Sequence, residues 1–114
     1  MCKRLADDFA IMNGYLVRSY DQAARVTLET VKAIKAQLGV NQTLGASNVS
    51  FGLPGRTEVN KAFMPLAIDA GVTCPTVDPI SVGTTVIATD LVLGRDRFSM
   101  RYIKDYRNRN NVTG

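Results

Sequence analysis

Four polar side chains stand where the chain is richest in turn residues: Ser47 and Asn48 within the stretch Gly45 to Gly55, Arg56 directly after it, and Asp78 after a short apolar run. Together they offer a hydroxyl, a carboxamide, a permanent positive charge and a carboxylate. A carboxamide presents either its oxygen or its NH2 group, so it can accept or donate a hydrogen bond without changing its own charge. Such a set suits a small polar ligand held by hydrogen bonds. Each residue also has a structural use. Asn48 can close an Asx turn on its own backbone, Gly45, Gly52 and Gly55 can form turns, Arg56 can start a helix or lie on the surface, and Asp78 can cap a helix.

The chain contains no histidine. Imidazole is the usual general base near neutral pH and a common metal ligand, so Ser/His/Asp and Cys/His catalysis are excluded for these 114 residues, and any metal chemistry has to come from a partner. Cys2 and Cys74 stand apart with no C-x-x-C pair, which gives neither a disulfide framework nor a structural zinc site. No apolar run reaches the roughly 18 residues of a membrane span, and the first residues turn acidic at Asp7-Asp8 before an export signal can form. A reduced, cytoplasmic setting without a membrane partner is expected.

The net charge of +4 comes largely from Arg95, Arg97, Arg101, Lys104, Arg107 and Arg109, diluted by Asp96, Asp105 and Tyr106. This reads first as a solvated helix face, second as a site for an acidic partner or a polyanionic ligand tail, and least as a nucleic-acid site.

The elements that must position the polar residues follow from periodicity. Phe9 to Val17 is mostly apolar with Asn13-Gly14 in its middle, an irregular strand or a strand with a turn. Leu28, Val31, Ile34 and Leu38 recur at helical spacing between Ala23 and Leu38, and Gly39 supplies a left-handed cap. Asn41 to Leu44 is short enough for a strand, and Gly45 to Gly55 reads as loop without regular structure. Arg56 to Ala70 is helical through Val59, Phe63, Leu66, Ala67 and Ala70, with Gly71 as its stop, and Pro65 predicts a kink or a break into two pieces. Val72 to Val77 is a second strand candidate. Ser81 to Leu93 fits helix or strand. Asp96 is placed to cap a last helix with Phe98, Tyr102 and Tyr106 on one face, and Phe63, Met64, Met100, Tyr102 and Tyr106 read as core packing with no cofactor role.

Helices alternating with short strands predict an α/β chain with parallel strands. In such folds ligands bind where strands end and turn into helices, so Ser47, Asn48, Arg56 and Asp78 are expected to converge on one mouth.

The run Leu44-Gly45-Ala46-Ser47-Asn48-Val49-Ser50-Phe51-Gly52-Leu53-Pro54-Gly55-Arg56, followed by Asn60 and Phe63, closely resembles the pterin-site signature of methyltetrahydrofolate:corrinoid methyltransferases, which also occurs in the folate domain of cobalamin-dependent methionine synthase. The likeness continues through Ala70-Gly71, Asp78-Pro79, Asp90 to Gly94 and Tyr102 to Arg107, and covers residues 21 to 107. It implies a (β/α)8 barrel, 5-methyltetrahydrofolate or tetrahydrofolate as substrate, and a cobalamin (corrinoid) on a partner protein whose cobalt exchanges the N5 methyl group in either direction. It assigns the contact with N5 to Asn48, with Gly45 leaving room for the pterin, Ser47 and Asp78 adding polar contacts and Arg56 adding positive charge.

A closed barrel needs roughly 250 residues. The chain is therefore expected to supply about three C-terminal β/α units of a pterin-binding domain, with residues 1–20 diverged or truncated. Family members hold the pterin's donor edge with carboxylates on earlier strands, whereas Ile11-Met12-Asn13-Gly14-Tyr15 carries none. Two roles follow: part of a methyltransferase completed by a homo-oligomer or by the rest of a barrel, or a non-catalytic pterin-binding or assembly fragment.

Overall fold

The computed structural model describes residues 22–111. The strand expected over Phe9 to Val17 lies outside them. The described chain runs as helix α1 (Ala23–Leu38), strand β1 (Thr43–Gly45), a 3₁₀ turn (Ala46–Ser50), α2 (Arg56–Ala70), β2 (Cys74–Thr76), α3 (Pro79–Val92), a second 3₁₀ turn (Arg97–Ser99) and α4 (Met100–Asn111). It is α/β, mostly helical, with one small parallel sheet. β1 and β2 pair in parallel with Thr43 opposite Cys74, Leu44 opposite Pro75 and Gly45 opposite Thr76. A parallel pair cannot be joined by a tight turn, and α2 is the crossover that joins this one.

Gly39 ends α1 in the left-handed conformation, its N–H bonded to the carbonyl of Lys35. The stripe of α1 that faces the core is Ala23, Thr27 and Val31, whereas Leu38 is exposed. Leu28 is partly buried against the core and Val31 fully buried, so the expected line faces inward and only its end at Leu38 runs out into solvent, with α1 packed closely on α2. Gly71, at the end of α2, shows how close that approach is: with φ +136° it carries no Cβ, and one built there would meet Lys35 Cδ at 2.8 Å.

The core lies between the sheet and α1, α2 and α3, and includes Val31, Leu44, Val49, Met64, Ala67 and Val82. Burying this apolar surface is the main term that holds the elements together. It also decides the outcome at Pro65. The expected break does not occur, and α2 runs through the proline as one helix. Met64, Ala67 and Ile68 on either side are buried, so burial on both flanks offsets the one backbone bond that proline cannot make.

The segment that fitted helix or strand is helix α3. Its start is fixed by Pro79 in the first turn and by Asp78, whose carboxylate accepts the Ile80 N–H. This is the arrangement in which proline costs no hydrogen bond.

The expectation for the last helix needs correcting. No residue of α4 is buried, and Met100 and Tyr106 are exposed, so of the aromatic and methionine set only Phe63 and Met64 are in the core. Phe98 has φ 56° and lies in the turn before α4, off the Tyr102–Tyr106 face. The reason is the way Asp96 caps. Its buried carboxylate accepts the N–H groups of Arg101 at 3.0 Å and Tyr102 at 2.9 Å, two of the orphan donors of the first turn. To bring the helix start back onto that carboxylate, the chain bulges through Phe98 and Ser99 at positive φ. Asp90 then ties the joint from α3, with Arg101 at 3.2 Å and Arg95 at 3.9 Å. Arg109 pairs with Asp105 at 2.8 Å, which leaves α4 as a solvated, charge-laced helix.

Candidate functional site at the strand ends

β1 ends at Gly45 and β2 at Thr76, side by side in register, so the chain leaves both strands over the same edge of the sheet. Asn48 lies three residues beyond the first strand and Asp78 two beyond the second. The 3₁₀ turn that carries Ser47 and Asn48 packs on α2 and on β2. Parallel pairing therefore puts the loops that carry Gly45, Ser47, Asn48 and Asp78 at one end of the sheet, with Arg56 at the start of α2 just beyond the first loop. The side chains divide into three kinds of use.

Asn48 is half-buried. Among the described residues its carboxamide has no hydrogen-bond partner; the bonds of the turn are made by the Phe51 N–H to the Asn48 carbonyl at 3.2 Å and by Ser50 Oγ to the Ser47 carbonyl at 3.1 Å. The carboxamide is thus not consumed by an Asx turn. It folds back over Gly45, where an added Cβ would stand 3.1 Å from Nδ2 and 3.7 Å from Cγ. Gly45 has φ −74°, a value open to any residue. Its lack of a side chain provides space for the amide.

Arg56 serves the turn. Its Nε donates to Ser50 Oγ at 3.0 Å, its Nη2 donates to the Ser47 carbonyl at 3.0 Å, and the guanidinium carbon lies 5.8 Å from the Phe51 ring centre. Two of the guanidinium's donors are thus directed into the loop. Ser47 contributes its carbonyl to this arrangement. The loop itself is more ordered than its glycine and proline content suggests, since Ala46 to Ser50 forms a 3₁₀ turn with Ala46, Val49 and Ser50 buried.

Asp78 acts as the cap of α3: Oδ1 accepts from Ile80 N–H at 3.0 Å, and its carbonyl accepts from Ser81 Oγ at 3.3 Å and Val82 N–H at 3.1 Å. Asp78→Ala is expected to lower the stability of the chain by about 1 kcal/mol through loss of this cap, read as a shift of the urea midpoint at unchanged slope.

Two residues that belong to the quoted signature but carry no role from sequence are buried or half-buried here. Ser50 is fully buried, and its hydroxyl both donates and accepts. The i, i+3 spacing of two serines in a glycine-rich stretch is the available signal, and it is weak. Asn60, one turn beyond Arg56 on α2, has its Oδ1 buried without a partner among the described residues.

A separate apolar groove lies between α2 and α3, lined by Pro65, Leu66, Ala88, Thr89, Val92 and Leu93 among others, away from the turn. No cluster of three or more metal-ligating side chains occurs among the described residues, and none of the described helices is long and apolar enough to cross a membrane.

Fold and site together define an α/β chain built on a β-α-β unit, with a carboxamide presented at the strand ends by a braced polar turn. Over 85 residues the chain is 35% identical to the methylcorrinoid:tetrahydrofolate methyltransferase of Eubacterium limosum, a match that covers 73% of this chain and 31% of that protein. The chain thus spans about a third of the length of the curated relative it matches. No protein-family model matches it.

Proposed function

We propose that this chain is a C-terminal portion of a pterin-binding methyltransferase domain, and that its strand-end turn binds tetrahydrofolate while a methyl group moves between N5 and a corrinoid carried by a partner protein. The observation that carries this reading is the half-buried Asn48 carboxamide, held against Gly45 and unspent by the turn around it. The similarity to a methylcorrinoid:tetrahydrofolate methyltransferase supports the same chemistry, and supports it in the direction from methyl-corrinoid to tetrahydrofolate.

N5 is a secondary amine in tetrahydrofolate and a tertiary amine once methylated. In the forward direction its lone pair forms the new bond to carbon and its proton must leave. In reverse, a proton must arrive before the methylated nitrogen can depart. A group beside N5 must therefore suit two protonation states. The Asn48 oxygen accepts from N5–H, and its NH2 group donates to the bare lone pair, so a flip of one amide serves both. In this reading Ser47 adds a hydroxyl beside the same position and Gly45 gives the flat ring room, while Arg56 braces the turn and Asp78 caps α3, so that these two act on the ligand through their charge. The corrinoid, when docked, supplies or accepts the methyl group.

A β-α-β unit followed by a helix, as in β1-α2-β2-α3, is the kind of unit that a (β/α)8 barrel repeats, which supports reading the chain as part of one. Thr43, Gly45, Cys74 and Thr76 are exposed on these strands, whereas parallel sheets are normally covered on both faces. The open face is the one that the rest of a barrel, or a second copy of the chain, would cover.

The test is calorimetric titration of the chain with tetrahydrofolate, followed by a methyl-transfer assay with methylcobalamin. Saturable one-to-one binding together with methyl transfer is the expected result. Binding without transfer would assign the chain to ligand holding or assembly. A well-dispersed, folded chain that releases no heat with tetrahydrofolate would overturn the reading.

A further inference from the structure

Ser50 combines features that its surroundings alone do not require. It is completely buried in a turn of five residues, and a buried hydroxyl is costly unless its hydrogen bonds are made. Here both are made. Its proton goes to the Ser47 carbonyl at 3.1 Å, and its oxygen accepts from Arg56 Nε at 3.0 Å. Arg56 closes the figure by donating Nη2 to that same Ser47 carbonyl at 3.0 Å. Three groups thus form a closed triangle across the turn, and Asn48 lies on the segment that the triangle spans. Two further bonds fix its outer side: Phe51 N–H to the Asn48 carbonyl at 3.2 Å and Leu53 N–H to the Ser50 carbonyl at 3.0 Å.

We propose that Ser50 is a positioning residue for Asn48, acting with Arg56 as a lock that fixes the backbone on both sides of the carboxamide and so aims it at N5. This rests on the function proposed above and deepens it, since it names what holds the contacting group in place. The geometric reason is the shape of the guanidinium. Its Nε and terminal NH2 groups form a rigid fork that reaches two acceptors at once, which a lysine ammonium on a flexible stem cannot reproduce. The lock therefore depends on fork geometry and not on charge alone. The Asn48 carboxamide lies against Gly45 and makes no side-chain bond among the described residues, so its aim depends on the backbone that the lock holds.

The test uses the full chain, labelled with ¹⁵N, as wild type, Ser50→Ala and Arg56→Lys. The first readout needs no ligand: amide hydrogen exchange at Phe51 and Leu53 and the order of the Asn48 side-chain NH2 group. Both variants are expected to speed exchange at those two amides by about tenfold or more and to lower Asn48 order, while exchange in α1 and α3 stays unchanged. Arg56 is exposed, so Arg56→Lys opens the lock without touching the core even where Ser50→Ala fails to fold. The second readout is tetrahydrofolate affinity, expected to fall about tenfold in both variants although Arg56→Lys keeps the charge. Unchanged exchange and unchanged Asn48 order in Arg56→Lys would overturn the lock, and so would a rise spread evenly over all helices. A wild type that ignores tetrahydrofolate would overturn the proposed function, while the ligand-free readout would still decide the role of Ser50.

Discussion

Asn48→Ala is expected to reduce methyl transfer by about 10² to 10³, the range found when one preorganised hydrogen-bond donor is removed from a site where charge develops, and to weaken tetrahydrofolate binding only about tenfold, the cost of one lost hydrogen bond. The split between the two numbers carries the argument. Binding reports the contact with N5 in its resting state. Turnover reports the contact when the proton on N5 changes hands, and only interactions that strengthen at that moment raise the rate. Asn48→Asp sharpens the test, because it keeps the size and one acceptor oxygen but loses the NH2 donor. It should retain contact with an N5 that carries a proton and lose contact with one that does not. Steady-state kcat and KM for the three proteins, with methylcobalamin as methyl source, give the answer. If Asn48→Ala raises KM alone and leaves kcat intact, the carboxamide only binds. If neither changes, the N5 contact lies elsewhere.

How far the sequence could carry this reading depended on the range of the interactions involved. α1, α2 and the two strands were legible because their signals are local: apolar spacing, Gly39 and Gly71 as stops, and turn residues between. The loops that carry Gly45, Ser47, Asn48 and Asp78 were legible as strand-end segments, because parallel strands put successive ends on one edge. What each does was not legible. Arg56 lies at a helix start in either case, and only the fold shows that two of its donors point back into the turn. Ser50 gave almost no signal, since a buried, doubly bonded serine and a solvated loop serine look alike in sequence. Asp78 was readable as ligand contact or cap, and its Oδ1 is spent on the cap.

The misreadings have the same origin. Pro65 predicts a kink or a break by the local rule that proline interrupts a helix, and the break does not occur, with Met64, Ala67 and Ile68 around it buried. Tyr102 and Tyr106 do share a helix face, but a shared face says nothing about which element it meets. α4 begins only after the chain has bulged through Phe98 and Ser99 to reach the Asp96 carboxylate, and that contact is invisible to periodicity.

The same balance makes Met64→Ala the most damaging core substitution expected here. Met64 is 0% exposed and sits in the cluster that joins Val31 of α1, Leu44 of β1, Val49 of the turn and Val82 of α3. Truncation removes the transfer energy of the side chain and leaves a cavity in that shared cluster, for a loss of about 2–5 kcal/mol. Domains have only about 5–15 kcal/mol in total. Met64 also precedes Pro65, so its packing is part of what keeps α2 continuous through the proline; with it gone, the helix has less reason to span that position. Met64→Leu keeps volume and should cost under about 1.5 kcal/mol. Leu66→Ala, at an exposed site two residues on, should change stability by no more than about 0.5 kcal/mol. Urea unfolding followed by far-ultraviolet circular dichroism measures all three. A Met64→Ala midpoint close to that of Leu66→Ala would mean that the continuity of α2, and with it the placement of Arg56 at its first turn, rests on something other than this core.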